Sequence, residues 1–162
     1  MKPAIKALFF AAAFSLFPLV GCTSKPAASV INEQATLKGQ LPYNPLAWKA
    51  ITSSINQRNA TMSTLYGNDL AIVYARGNSG HDYPAGSVLA LVTWAQREDP
   101  HWFGARIPSA PQSVEFVTIP STAGAGPVYE RYQGSPLTRV TASDGGSTRV
   151  EYLTTQRAAV MP

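Results

Sequence analysis

Beyond Cys22 the 162-residue chain has no cysteine, and beyond Lys49 it has no lysine. The first absence excludes disulfides, iron–sulfur clusters, thiolate zinc sites and a cysteine nucleophile from everything after residue 22, so that part must be held by its core alone. Histidine is scarce too, with His81 and His101 far apart and no HExxH spacing, which speaks against a zinc centre. No GxxxxGK or GxGxxG motif opens a helix, and no serine stands in a GxSxG or SxxK context. Charge is sparse and unclustered. The formal net charge is +4. Without Lys2 and Lys6 the balance is 11 − 9 = +2, with no basic patch for nucleic acid.

Long apolar runs are confined to the amino terminus. Lys2 and Lys6 precede an uncharged stretch from Ala7 to Val20, long enough for an export signal and short of the roughly 20 residues that span a bilayer. Leu19-Val20-Gly21-Cys22 resembles the lipobox of bacterial lipoproteins, which implies cleavage before Cys22 and acylation of its thiol. Thr23 after the cysteine, where Asp would retain such a protein on the inner membrane, favours the outer membrane. The expected organisation is a signal peptide over 1–21, a lipidated cysteine and flexible tether over 22–41, and one domain over 42–162. The expected setting is the bacterial cell envelope, facing the periplasm or the surface. Two or three acyl chains, at about 0.8 kcal/mol per buried methylene, would hold the chain stably on a membrane.

Within the domain, Asn44-Pro45 followed by Trp48, Ile51 and Ile55 predicts a helix reaching the Thr61 region, with Trp48 anchoring it in the core. Met62–Tyr66 and Leu70–Ala75 read as strands around a Gly67-Asn68-Asp69 turn. Val88–Ala95 is apolar on both faces, as a strand covered on both sides should be. Further strands are predicted over 113–119, 128–133, 137–143 and 147–153, separated by Gly- and Pro-containing turns. One main helix packed on one face of an antiparallel sheet makes the class α+β.

Candidate chemistry concentrates between Tyr83 and Pro108. Arg97-Glu98-Asp99-Pro100 forms a charged turn, and Trp94, Arg97, His101, Trp102 and Arg106 together suggest an aromatic-walled pocket with cationic rims for a small planar or anionic ligand. Glu98, Asp99 and His101 are the candidates for acid–base chemistry in a small periplasmic enzyme.

The run YPAGSVLALVTWAQREDPHWFGARIP, with the preceding LAWKAITSSINQRNATMSTLYGND and the closing RAAVMP, resembles the cytochrome P460 family over Tyr43 to Pro162. The resemblance implies an antiparallel sheet with packed helices, often a homodimer. In its best-known members it also implies a c-type haem crosslinked to lysine that oxidises hydroxylamine. These residues contain no CxxCH, and Lys49, the last lysine, lies on the predicted helix. Covalent haem is therefore excluded and no cofactor is expected. The expected role is a haem-less binding or accessory module, with two alternatives: non-covalent haem or gas binding through His101 or His81, and the small enzyme above.

Overall fold

The computed structural model describes residues 31–77, 80, 82–141 and 145–159. Cys22 and His81, and with them any signal peptide, lie outside the described residues. Six strands form one antiparallel sheet in sequence order, β1 (Lys49–Asn56), β2 (Thr61–Gly67), β3 (Val88–Glu98), β4 (Arg106–Thr118), β5 (Val128–Gln133) and β6 (Thr138–Val140). Helix α1 (Asp69–Gly77) lies between β2 and β3, and α2 (Gly146–Thr154) follows β6. The α+β class and the antiparallel sheet stand as expected, with two helices in place of one.

β3 carries the core on both its faces. Leu89 and Leu91 pack with Leu65, Val117, Ile72 of α1 and Leu153 of α2, while Val88, Ala90, Val92 and Trp94 pack with Val114, Phe116 and Tyr132 on the opposite side. Successive side chains in a strand point to opposite faces, so an unbroken apolar run requires a cover on each. The second cover is supplied by the segment entering the sheet. Ala35, Leu37, Leu41 and Trp48 lie against that face. The Trp94 indole N–H donates to the Ala35 carbonyl at 2.9 Å, and the Leu137 amide to the Lys38 carbonyl at 2.7 Å. Gly39 adopts φ 144°, and a Cβ there would strike the Leu137 backbone, so only glycine permits the close approach. Residues from Ile31 onward group with the sheet as one compact unit. Ala35, Leu37 and Leu41 cover the sheet from within a stretch whose polar composition suggests a tether.

Three predicted elements change type. Asn44 does start a turn, its Oδ1 accepting from the Leu46 amide at 3.2 Å with Pro45 at the first position, but the turn is a 3-10 helix ending at Ala47. The chain then runs extended into β1, where Ile51 is buried and Ile55 is exposed. The spacing that mimicked a helical face spans a register shift between Ala50 and Thr52 that turns Ile51 inward. Residues 70–75, rich in β formers, are helical. Ala71 and Ile72 are buried against the sheet while Val73 is turned out, 73% exposed. The strand expected over 147–153 is α2, docked through Leu153. β4 begins seven residues before the predicted 113, since Pro108 and Pro111 fall where its pairing with β3 is irregular and each missing amide is tolerated.

The predicted turn at Asn68 is instead the cap of α1. Its Oδ1 accepts from the amides of Ala71 at 3.0 Å and Val88 at 3.2 Å, and its Nδ2 donates to the Gly86 carbonyl at 2.9 Å. One side chain thus fixes the start of α1 to the entry of β3. Replacing Asn68 by Ala is expected to cost about 2–3 kcal/mol, the sum of a lost cap and two further unsatisfied groups. Asn68→Asp keeps the acceptor for the Ala71 and Val88 amides but turns a carboxylate oxygen on the Gly86 carbonyl, so in denaturant unfolding it should recover only part of that cost.

Candidate functional site

The structure disperses the cluster drawn from sequence. Trp94 is buried in the core, 4% exposed, whereas Trp102 is 72% exposed at the tip of the β3–β4 hairpin, so the two indoles do not wall one pocket. Arg106 pairs with Glu98 across the hairpin at 3.5 Å, both side chains largely in solvent. Asp99 Oδ1 accepts from the His101 backbone amide at 2.8 Å, an interaction that shapes the turn and leaves the exposed imidazole outside any carboxylate pair. Arg97 is half-buried, with its Nε lacking a partner among the described residues.

A different group converges on the helix-bearing face. Glu115, near the end of β4, faces that side between Leu91 of β3 and Arg131 of β5, and it is 4% exposed. Arg149 of α2 reaches it in a forked contact, Nε to Oε2 at 2.8 Å and Nη2 to Oε1 at 2.9 Å. The Tyr129 hydroxyl donates to Oε2 at 2.7 Å. Arg149 also lies over the Tyr152 ring, 4.6 Å from its centroid. One guanidinium, through two N–H groups, and one phenol thus bond a carboxylate that burial alone would neutralise. Burial, then the hydrogen bond and charge of Glu115, push the Tyr129 phenol up to about 12. Burial works against the Arg149 charge, but the bonds to Glu115 outweigh it and the guanidinium titrates above its ordinary value.

Beside this cluster the sheet surface is hydroxyl-rich. Ser63 and Thr93 share a hydrogen bond at 2.9 Å, and Thr93 stands opposite Ser113 across β3 and β4. An open groove of about 460 Å³ is lined by Thr61, Thr93, Ser113, Glu115, Arg131 and Arg149 among others. A second, of similar volume, lies on the other side of Arg131 and Arg149, toward Gln133 and Thr148. The Arg131 Nε is buried with no partner among the described residues. One carboxylate and two guanidiniums leave one positive charge at the groove floor, with neighbouring hydroxyls able to donate. That arrangement can hold a small anion.

Sequence reading passed over Glu115 and Arg149. The signal was present in Ser113-Val114-Glu115-Phe116-Val117, a β-rich run where alternation places a charge on one face with Ser113 and Val117. Its partner could not be paired with it, because 147–153 reads as another strand and the helical geometry that brings Arg149 over β4 was missing.

Arg149→Met removes two of the three bonds to a buried carboxylate and should cost up to about 3–5 kcal/mol, less to the extent that Arg131, opposite Glu115 in the register, takes them over. Glu115→Gln should cost about 1–2 kcal/mol, because the released guanidinium can reach water. Chemical denaturation of the two variants checks the order. A phenol whose folded pKa is raised favours the fold below its unfolded value of roughly 10 and loses that contribution as pH rises toward 12. Tyr129→Phe should therefore flatten the stability–pH curve between about pH 10 and 12.

No curated protein matches the chain. The sequence model of the Cytochrome P460 family matches residues 43–147, which run from the entry to β1, through all six strands, to the start of α2. The match covers well over half of the sequence and agrees in extent with the sheet just described. The chain belongs to the cytochrome P460 family.

Proposed function

We propose that this is a lipid-anchored envelope protein whose cytochrome P460 domain works without haem, as a binding module for a small anion in the groove at Arg131 and Arg149. The observation that carries the reading is the Glu115–Arg149–Tyr129 cluster, which consumes one guanidinium and leaves the Arg131 charge beside a row of hydroxyls. A purely structural ion pair needs no second cation at that place.

Among the described residues, the donors do not fit the haem that the family implies, which supports the haem-less reading. The described residues include no cysteine for a thioether, and their one imidazole, His101, stands on an exposed hairpin tip between Pro100 and Trp102. A haem ligated there would leave its ring in water. The lipid anchor rests on the lipobox-like Leu19-Val20-Gly21-Cys22, and placement at the outer membrane on Thr23.

Inorganic phosphate serves as the probe anion. Its titration into the purified protein is expected to shift the backbone amide resonances of Thr93, Ser113 and Arg131 saturably, and Arg131→Met should abolish the effect while the fold persists. Shifts that are absent, or unchanged in the variant, would remove the anion site. Hemin titrated into the same protein should give no saturable one-to-one Soret band, and a stoichiometric band lost in His101→Ala would overturn the haem-less reading.

A further inference from the structure

The hairpin between β3 and β4 ends in the most exposed aromatic pair of the described residues. Trp102 is 72% exposed and Phe103 is 110% exposed. The pair is held out by a formed turn. The Ala105 amide donates to the Trp102 carbonyl and the Asp99 amide to the Ala105 carbonyl, both at 3.0 Å, and Gly104 supplies the φ of 77° that such a turn requires at its third position. An ordered turn that presents indole and phenyl to solvent gains nothing for the fold from either ring. Its charges are already balanced: Arg106 pairs with Glu98, and Arg97 offsets Asp99.

The route of the chain into the domain gives the tip a neighbour. Asn32 donates through Nδ2 to the Pro108 carbonyl at 2.6 Å, two residues along β4 from Arg106, where the hairpin turns. From there the segment runs past Trp94, which bonds Ala35, to Leu137, which bonds Lys38. The chain therefore enters the domain beside the hairpin tip, roughly 7 Å of strand from its turn. Eight residues, nine Cα-to-Cα steps (31 − 22), lie between Cys22 and Ile31, a contour of at most about 30 Å.

We propose that Trp102 and Phe103 are a second membrane contact, entering the headgroup region of the same bilayer that holds the acyl chains on Cys22. The inference rests on the anchor in the proposed function. Trp suits that interface, with an apolar body and a polar N–H. A single weak contact is enough, since a short tether gives an effective concentration in the millimolar range. With the tip charges balanced, the contact needs no anionic lipid. It fixes the orientation of the sheet on the membrane, which a lipid anchor on a tether does not.

The lipidated full chain, reconstituted in phosphatidylcholine vesicles with brominated acyl chains, tests this by tryptophan quenching after flotation. Trp102 is expected to be quenched strongly, with at least a threefold loss of quenching in Trp102→Phe, where only Trp48 and the buried Trp94 report. Phe103→Ser, which keeps the reporter, should reduce quenching at least twofold, and added salt should leave it unchanged. Circular dichroism and melting of each variant confirm an intact fold. A chain that floats but shows the same quenching with and without Trp102 overturns the tip contact and leaves the anchor standing. A chain that carries no acyl group and does not float overturns both.

Discussion

β3 must be covered on both faces, and most of the architecture follows from that requirement. Leu89, Ala90 and Val92 are wholly inaccessible to solvent, and they alternate between the two sides of the sheet. A six-stranded meander has no second sheet to supply a cover, so α1 and α2 close one face and the segment from Ala35 to Trp48 closes the other. Burying a large aliphatic side chain contributes about 1.5–3 kcal/mol, which makes the entering segment part of the fold's stability as well as its lead-in. Asn68 and the Trp94 indole are the polar ties that keep the two covers in place.

Glu115 is the exception inside that apolar arrangement, and its position explains how α2 is oriented. Leu153 alone would dock α2 with freedom to rotate about its axis, because apolar contact is not directional. The forked bond from Arg149 to Glu115 is directional, and with Tyr129 on the same oxygen it fixes which face of α2 meets β4 and β5. Replacing such a cluster by hydrocarbon of equal volume is often neutral or stabilising, so the ion pair is weak evidence for stability as such. What it contributes is register, and a polar wall for the groove.

How far the sequence disclosed this depends on where packing overrode local pattern. Val88–Ala95 and Val128–Gln133 were legible because strand length, β-branched content and bounding turns agree. Ile51 and Ile55 were misread since two apolar residues four apart fit one helical face, while in β1 the irregularity beside β2 turns Ile51 inward and leaves Ile55 exposed. Leu70–Ala75 carries Ile, Val and Tyr, all suited to strands, and became helical because Asn68 caps it and Ala71 and Ile72 reach the sheet together. Among the expected site residues, proximity along the chain was taken for proximity in space. The hairpin tip holds His101 and Trp102, but Trp94 lies eight residues back on a strand whose side chain turns inward, and the buried carboxylate that does gather partners depends on α2, which the pattern over 147–153 concealed.

The charge balance at the groove follows from the same geometry. Arg131 stands directly opposite Glu115 in the β4–β5 register and could have shared its carboxylate. Arg149 and Tyr129 take three of the roughly four acceptor positions of that carboxylate, and the Arg131 Nε has no partner among the described residues. Two like charges at such a site repel by about 4 kcal/mol at 4 Å for an effective dielectric near 20, and less as they part or gain water. Glu115 offsets that repulsion once, for two cations. An anion arriving between Arg131 and Arg149 would supply the second negative charge, and the hydroxyls of Thr93 and Ser113 lie along the same wall of the groove. The affinity of such a site would come from this unfilled electrostatic demand more than from enclosure, because the groove is open and its lining is polar.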